Sequence, residues 1–134
     1  MTSRAGRANN PVHRRKSSTI VLADDDRNIV DLLADLLEDE GYHVLRASDG
    51  QRAWNLCQQH DPSLVITDVM MPRLSGLELV SRLRHGQTAR PPVIIMSAVR
   101  QTLPAPDVTF LPKPFDLDEM LDHVAASLGS APDA

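Results

Sequence analysis

Short apolar runs alternate with amphipathic segments along most of this chain, and this alternation limits its fold more than any other sequence feature. Continuous apolar runs rich in β-branched residues are typical of strands that are covered on both faces. Five strands are predicted, at residues 19–23, 42–47, 64–67, 93–96 and 108–111. Because amphipathic helices separate them, the pattern predicts an α/β fold with a parallel sheet, right-handed crossovers and helices on both faces.

Four predicted helices have apolar residues at helical spacing and recognisable ends. Gly41 suits a left-handed cap, Ser75 and Glu78 fit a capping box, and Asp116 starts the last helix. The positions expected to face inward are Ile29, Leu32, Leu33, Leu36, Leu37, Ala53, Leu56, Cys57, His60, Leu77, Val80, Leu83, Leu117, Met120, Leu121, Val124 and Leu128.

The length of 134 residues, with 42% hydrophobic content, suits one compact domain, which we place at residues 18–129. Cys57 is the only cysteine, so an internal disulfide and a cysteine-rich zinc site are excluded. No apolar segment has the length of a bilayer span, and the arginine-containing N-terminus lacks the apolar stretch of a signal peptide. We therefore expect a cytoplasmic protein without membrane contact.

The N-terminal residues form a basic segment that contrasts with the acidic remainder of the chain. It has five of the 14 basic residues and none of the 18 acidic residues: Arg4, Arg7, Arg14, Arg15 and Lys16. With few apolar residues to bury, 1–17 is expected to be a disordered tail, as is 130–134. Contact with nucleic acid, an anionic surface or the acidic domain is one interpretation of the tail. The other is a solvated leader or an overextended gene start, and we assign the tail no function.

Polar residues follow the predicted strands at their carboxyl ends. In a parallel α/β sheet these ends share one edge, and ligands bind beyond it where the strand order reverses. We therefore expect one site built from residues that follow the first, third, fourth and fifth strands: Asp24, Asp25, Asp26, Asp68, Ser97, Ala98 and Lys113.

Three consecutive aspartates need a nearby cation, because two carboxylates about 4 Å apart repel by roughly 4 kcal/mol at an effective dielectric constant of 20. Carboxylates from two strands that face a lysine and a hydroxyl suit Mg²⁺, which keeps several waters and needs only one or two carboxylates. Asp26 is instead expected to cap the following helix. The structural alternative is that the acids only cap helices or begin turns, that the lysine is solvated and that Ser97 only ends a strand.

These motifs together resemble the response-regulator receiver domain, the phosphoacceptor module of bacterial two-component signalling. The matching segments are Asp24-Asp25 in LADDD, Asp68 in VITDVMMP with Ser75-Gly76 after it, Ser97-Ala98 in IIMSA, and Lys113-Pro114-Phe115 in LPKPFD. The resemblance covers about residues 18 to 128, and the order of the motifs along the chain is more specific than any one motif. The resemblance implies a flavodoxin-like (βα)5 three-layer sandwich with strand order 2-1-3-4-5.

The resemblance also implies a phosphorylation site at Asp68. The phosphoryl group would come from a sensor histidine kinase, a phosphotransfer protein or acetyl phosphate. Mg²⁺, for which Mn²⁺ can substitute, would be bound by Asp25, Asp68 and the backbone carbonyl of Met70, with Asp24 acting through water. Lys113 would neutralise charge on the transferred group.

A conformational switch is implied in the same way. Ser97 and the Ala98 backbone would bind the phosphoryl oxygens, and Ser97 would shift on phosphorylation. Phe110 occupies the place of the family's switch aromatic, although a phenylalanine in a strand is more often only a core residue. The Lys113-Pro114 bond is expected to be cis.

The sequence departs from the family between the fourth and fifth strands. Only fifteen residues separate Ser97 from Lys113, a strand uses about five of them, and Pro104 and Pro106 oppose a regular helix in the rest. The helix usually found here is expected to be missing or reduced. We expect output through a different face, or a partner contact at 99–107, rather than the usual receiver dimer.

A second departure lies two residues after Asp68 and after Ser97, at Met70 and Val99. Relatives often have polar side chains there, which orient the hydrolytic water. Apolar groups should hinder that water, so we expect slower loss of the phosphoryl group than in those relatives.

The expected function is a single-domain response regulator that binds a downstream protein, with no DNA-binding domain and no catalysis beyond its own phosphorylation and dephosphorylation. An adaptor that works without phosphorylation is one alternative. A Mg²⁺-dependent phosphohydrolase is another, although the chain has no second acid two residues after Asp68 and no substrate-sized insertion.

Overall fold

The computed structural model describes residues 18–85, 91–99 and 108–129. Its elements, in chain order, are β1 (Thr19–Ala23), α1 (Arg27–Asp39), β2 (His43–Ala47), α2 (Gly50–His60), β3 (Leu64–Asp68), α3 (Gly76–Arg84), β4 (Val93–Ser97), β5 (Val108–Pro112) and α4 (Leu117–Ser127). None of the described helices has the length and apolar character needed to cross a membrane. The expectations for the two termini, and for the helix between β4 and β5, concern residues 1–17, 100–107 and 130–134, which lie outside the described residues.

The five strands form one parallel sheet in the order β2-β1-β3-β4-β5. This confirms the predicted flavodoxin-like topology. The order places β1 beside β3, with Ala23 opposite Thr67, so the residues that follow these two strands are neighbours at the carboxyl edge. The strand order reverses between β1 and β3, because β2 lies on one side of β1 and β3 on the other, and α/β sheets bind ligands at such a point.

Two apolar layers enclose the sheet because successive strand residues point to opposite faces. In β1, Val21 and Ala23 contact the layer formed with α2 and α3, whereas Ile20 and Leu22 contact the layer formed with α1 and α4. All four are completely buried. The described elements therefore form a three-layer sandwich around the sheet.

Some predicted helix faces are wrong in detail. Leu32 is 52% exposed and Leu117 is 36% exposed, and His60 is also exposed, although all three were expected to face inward. Leu79, which was not predicted, is completely buried. The buried stripe of α1 consists of Val30, Leu33, Ala34 and Leu37. A helix that rests on a sheet buries this narrow stripe, and apolar residues beside it remain outside.

Most predicted helix ends are confirmed. Asp26 accepts hydrogen bonds from the backbone N–H groups of Asn28 and Ile29, and Ser75 and Glu78 form a reciprocal capping box. Gly41 has φ of 100°, the left-handed conformation that glycine favours. Asp116 occupies the N-cap position of α4, but its side chain makes no capping hydrogen bond.

Candidate functional site

The carboxyl edge of the sheet brings together acids from two strands. Asp24 and Asp25 follow β1, and Asp68 ends β3. One carboxylate oxygen from each of the three lies within 4.8 Å of the others. The site expected from the sequence is therefore one spatial cluster rather than separate strand ends.

Lys113 follows β5 and reaches this acidic cluster from the other side. Its Nζ lies 3.0 Å from Asp24 Oδ2 and 3.4 Å from Asp68 Oδ1. Its backbone N–H donates to the Ser97 carbonyl, which joins the ends of β5 and β4. The following peptide bond, Lys113-Pro114, is cis. Lys113 thus contacts Asp24, which is 89 positions away in the sequence, and Asp68, which is 45 positions away.

The three acids differ in their access to solvent. Asp24 is only 1% exposed, and its second oxygen, Oδ1, accepts a hydrogen bond from the backbone N–H of Asp26. The Asp68 side chain is 13% exposed, whereas Asp25 lies at the surface. Asp24 is therefore held by protein donors at both oxygens. Asp25 and Asp68 are the acids that solvent and ligands reach.

Burial raises the pKa of the Asp68 carboxyl, and the charge of Asp24 raises it further. Lys113 opposes both effects but does not cancel them. Burial by itself lowers the pKa of Lys113, yet its contacts with Asp24 and Asp68 outweigh burial, and the lysine pKa is raised. The folded protein therefore disfavours the ionised form of Asp68 and favours the charged form of Lys113.

The donor set fits a hard divalent cation. One ammonium group faces three carboxylates, so a net negative charge remains at the cluster. Mg²⁺ prefers oxygen ligands and is bound by one or two carboxylates plus water, a requirement that Asp25 and Asp68 meet at an accessible edge. A cation there would also offset the repulsion that raises the pKa of Asp68.

The remaining predicted residues lie around the cluster in different environments. Met70 is 73% exposed on the loop after β3. The Ser97 hydroxyl donates to the Val99 carbonyl at 2.8 Å and accepts from the Val99 N–H at 3.0 Å. Ala98 is exposed. Phe110 is partly buried, is paired with Ile95 in the sheet and packs against the α2–α3 layer.

Sequence reasoning missed an ion pair near the carboxyl end of β3. Arg73 Nε, on the loop after β3, lies 3.1 Å from Asp49 Oδ2, at the start of α2. The two residues are 24 positions apart, and nothing in their local sequence links them. The only available signal was the Asp49-Gly50 dipeptide, which is typical of a tight junction before a helix.

An apolar groove lies between α1 and the start of α4, next to the acidic cluster. Its volume is about 340 Å³, and it is lined by Ile29, Leu32, Leu33, Ala98, Lys113, Pro114, Phe115 and Leu117. Leu32 and Leu117 contribute its most exposed large apolar side chains. Because Lys113 borders both features, a molecule in the groove would lie beside the acids.

Comparison with known proteins relates this geometry to one family. A family model described as the response regulator receiver domain matches residues 20–125. The response regulator GtcR of Aneurinibacillus migulanus is 40% identical over 123 residues, which cover 86% of this chain and 49% of that protein. The transcriptional regulatory protein CpxR of Escherichia coli is 38% identical, over 81% of this chain and 48% of its own length. The chain thus spans about half the length of these curated relatives.

Solved structures agree with the sequence comparison. The receiver domain of the Francisella response regulator 1452 superposes with a TM-score of 0.75 at 29% identity, covering 85% of this chain and 98% of that one. The response regulator TrrA of Thermotoga maritima, in complex with Mg²⁺ and BeF, has a TM-score of 0.74 at 30% identity, over 82% of this chain and 98% of its own. The chain belongs to the response regulator receiver domain family, which serves phosphorylation-dependent signalling.

Proposed function

We propose that Asp68 accepts a phosphoryl group from a phosphohistidine on a sensor kinase or phosphotransfer protein. The observation that carries this proposal is the position of the Asp68 carboxylate, between the Lys113 ammonium and two further acids at the carboxyl edge of the sheet. A carboxylate oxygen forms the new bond to phosphorus while the bond from phosphorus to the histidine nitrogen breaks. The electron pair of that bond stays on the departing nitrogen. A cytoplasmic location belongs to the same proposal.

Each polar residue of the cluster has a distinct role in this proposal. Asp25, Asp68 and the Met70 carbonyl hold Mg²⁺, or Mn²⁺ in its place, and Asp24 supports them through water. When bound, the metal supplies positive charge that stabilises the transferring phosphoryl group. Lys113 holds a second positive charge 3.4 Å from the nucleophilic carboxylate. Catalysis is limited to the protein's own phosphorylation and dephosphorylation.

Ser97 would couple phosphorylation to the loop after β4. Its hydroxyl now bonds to Val99, so a shift toward phosphoryl oxygens breaks both of those hydrogen bonds. The Ala98 backbone would bind the same oxygens, and Phe110 would follow as the switch aromatic. This is a population shift between two arrangements of one loop.

The phosphoryl group should be lost slowly. Met70 is 73% exposed and Val99 is 65% exposed, and neither offers a polar atom in its side chain to align a water molecule. Substituting both residues with asparagine should speed the decay of labelled phosphoprotein. Equal decay of the wild type and the double variant would contradict this explanation.

The groove beside Lys113 is the surface that we propose for the phosphohistidine-bearing partner. A protein donor that brings its phosphoryl group to Asp68 comes next to this groove, because Lys113 borders both the groove and the acidic cluster. Leu32 extends the apolar surface onto α1. Leu32→Asp should impair transfer from a phosphorylated histidine protein, whereas labelling by acetyl phosphate should be unchanged. Loss of both reactions would argue against a docking role.

Output would run through protein contacts. The expected partner site at 99–107 remains a prediction, because most of that segment lies outside the described residues.

The test is intact-mass spectrometry after incubation with acetyl phosphate and Mg²⁺. The wild type should gain the mass of one phosphoryl group, and Asp68→Asn should not. Asp116→Asn is the matched control, since Asp116 is an exposed acid without a capping hydrogen bond. An unmodified wild type that still captures its partner would favour the adaptor, and turnover of a phosphate ester would favour the phosphohydrolase.

A further inference from the structure

The loop that follows the phosphoacceptor is held by the start of α2. This β3–α3 loop (residues 69–75) includes Met70, the proposed carbonyl ligand. Arg73 donates from Nε to Asp49 Oδ2 at 3.1 Å. The other Asp49 oxygen, Oδ1, caps α2 by accepting from the Arg52 N–H at 2.8 Å. One carboxylate therefore joins the first turn of α2 to the loop that carries the proposed metal ligand.

Backbone packing supports the same junction. A Cβ placed on Gly50 would lie 1.7 Å from the Leu74 carbonyl oxygen and 2.7 Å from Leu74 Cβ. A Cβ on Gly76 would lie 2.1 Å from the Asp68 carbonyl oxygen. Glycine is thus required on both sides of the β3–α3 loop, at the start of α2 and at the start of α3. The loop is confined between two helix N-termini.

Arg73 occupies an unfavourable backbone conformation. Its φ is 69°, a region that residues other than glycine rarely adopt unless surrounding contacts fix it. The Arg73 side chain is 68% exposed, so apolar burial does not explain why it is held there, whereas the Asp49 side chain is only 11% exposed. A backbone hydrogen bond from the Leu74 N–H to the Pro72 carbonyl spans Arg73, and the bond to Asp49 is the side-chain contact that joins this turn to α2.

We propose that Asp49 and Arg73 are positioning residues that set the affinity of the acidic site for Mg²⁺. They do this by fixing the β3–α3 loop and with it the Met70 carbonyl. The inference rests on the proposed function, because it assumes that the cluster binds a divalent cation. Removing a group that hydrogen-bonds to a metal ligand weakens metal binding by about 10-fold or more, and a pair that fixes the loop of a ligand should act in the same direction.

Arg73→Gly separates positioning from folding, because glycine tolerates φ of 69° while removing the side chain. Asp49→Asn retains an oxygen that caps α2 but removes the charge that faces Arg73. Arg73→Lys keeps both a cation and the unfavourable φ, so it is the conservative control. Mg²⁺ affinity is measured by isothermal titration calorimetry for the wild type, the three single variants and the Asp49→Asn/Arg73→Gly double variant. Urea unfolding of each protein is measured in parallel.

Arg73→Gly should bind Mg²⁺ about 10-fold more weakly than the wild type, with no loss of unfolding midpoint. Arg73→Lys should bind more tightly than Arg73→Gly. The Arg73→Gly change should have a smaller effect when Asp49 is already Asn, because the pair acts as one unit. If a variant loses stability, the test is still whether Arg73→Gly weakens Mg²⁺ binding less in the Asp49→Asn protein than in the wild type.

Two results would overturn the inference. The positioning role is refuted if the wild type binds Mg²⁺ and Arg73→Gly binds it equally well. It is also refuted if Arg73→Gly weakens Mg²⁺ binding by the same factor with Asp49 and with Asn at position 49. Either result leaves the proposed function intact. A wild type that does not bind Mg²⁺ refutes the proposed function as well.

Discussion

Replacing Lys113 with methionine should destabilise the metal-free protein far more than replacing a lysine at an ordinary surface position. The substitution removes the ammonium 3.0 Å from Asp24 Oδ2 and leaves an acid that is 1% exposed without its ion partner. Removing one partner of a buried pair costs about 3–5 kcal/mol. Because the Lys113 side chain is 22% exposed and Asp24 keeps its bond from Asp26, we expect the lower end, about 3 kcal/mol. For a domain of this size, that corresponds to a fall in Tm of about 12 °C.

Arg46→Met provides the matched control. Arg46 pairs with three acids on α1, Asp31, Asp35 and Glu38, at 2.8, 3.4 and 3.3 Å. All four side chains are at least 38% exposed. Pairs of this kind contribute about 1 kcal/mol or less, so its Tm should fall by about 4 °C or less. Although Arg46 has more partners, burial makes the Lys113 substitution the more costly one.

Urea and thermal unfolding at neutral pH, without divalent cations, measure both variants. The pKa of Lys113 is raised in the fold, so its stabilising effect is complete below the ordinary lysine pKa and is lost as the pH rises through the folded value. The difference in free energy of unfolding between the wild type and Lys113→Met should therefore become smaller only at strongly alkaline pH. A Lys113→Met protein as stable as Arg46→Met would refute the reasoning.

Two further predictions concern groups with raised pKa values. Burial and Asp24 raise the pKa of Asp68, so ionisation of this carboxyl opposes folding. The stability that protonated Asp68 contributes at acidic pH is lost as the pH rises through its pKa in the folded protein. Asp68→Asn should therefore be more stable than the wild type at neutral pH without Mg²⁺ and equal to it at low pH, and equal urea midpoints at both pH values would contradict this. Burial raises the pKa of Cys57 to about 12, so its thiol should react with a disulfide reagent only on unfolding; rapid labelling of the folded protein would contradict this.

The fold could be predicted because its signal is local and repeated. The run TIVLA is covered on both faces, as a continuous apolar strand requires, and the order of the strands follows once the family is identified. Helix faces were harder to predict. Leu32 and Leu33 are chemically alike, but only the geometry of α1 on the sheet decides that Leu33 is buried and Leu32 exposed.

The acidic cluster could be located because it lies at strand ends, whose edge the topology determines. The sequence predicted Asp24, Asp68 and Lys113 at this edge, but it did not show that Lys113 contacts both Asp24 and Asp68. The pair of Asp49 and Arg73 could not be predicted, since it depends on how tightly two loops pack. That packing comes from Gly50 against Leu74, a tertiary contact with no periodic signal in the chain.

The central claim is that Asp68 takes the phosphoryl group at a cluster that needs a divalent cation. It is tested most directly by peptide mass spectrometry of protein that was treated with acetyl phosphate, with Mg²⁺ or with a chelator. We predict a phosphoryl group on the peptide that contains Asp68 in the presence of Mg²⁺, and almost none with the chelator. A phosphoryl group on another residue, or equal labelling of Asp68 without divalent cations, would contradict the account.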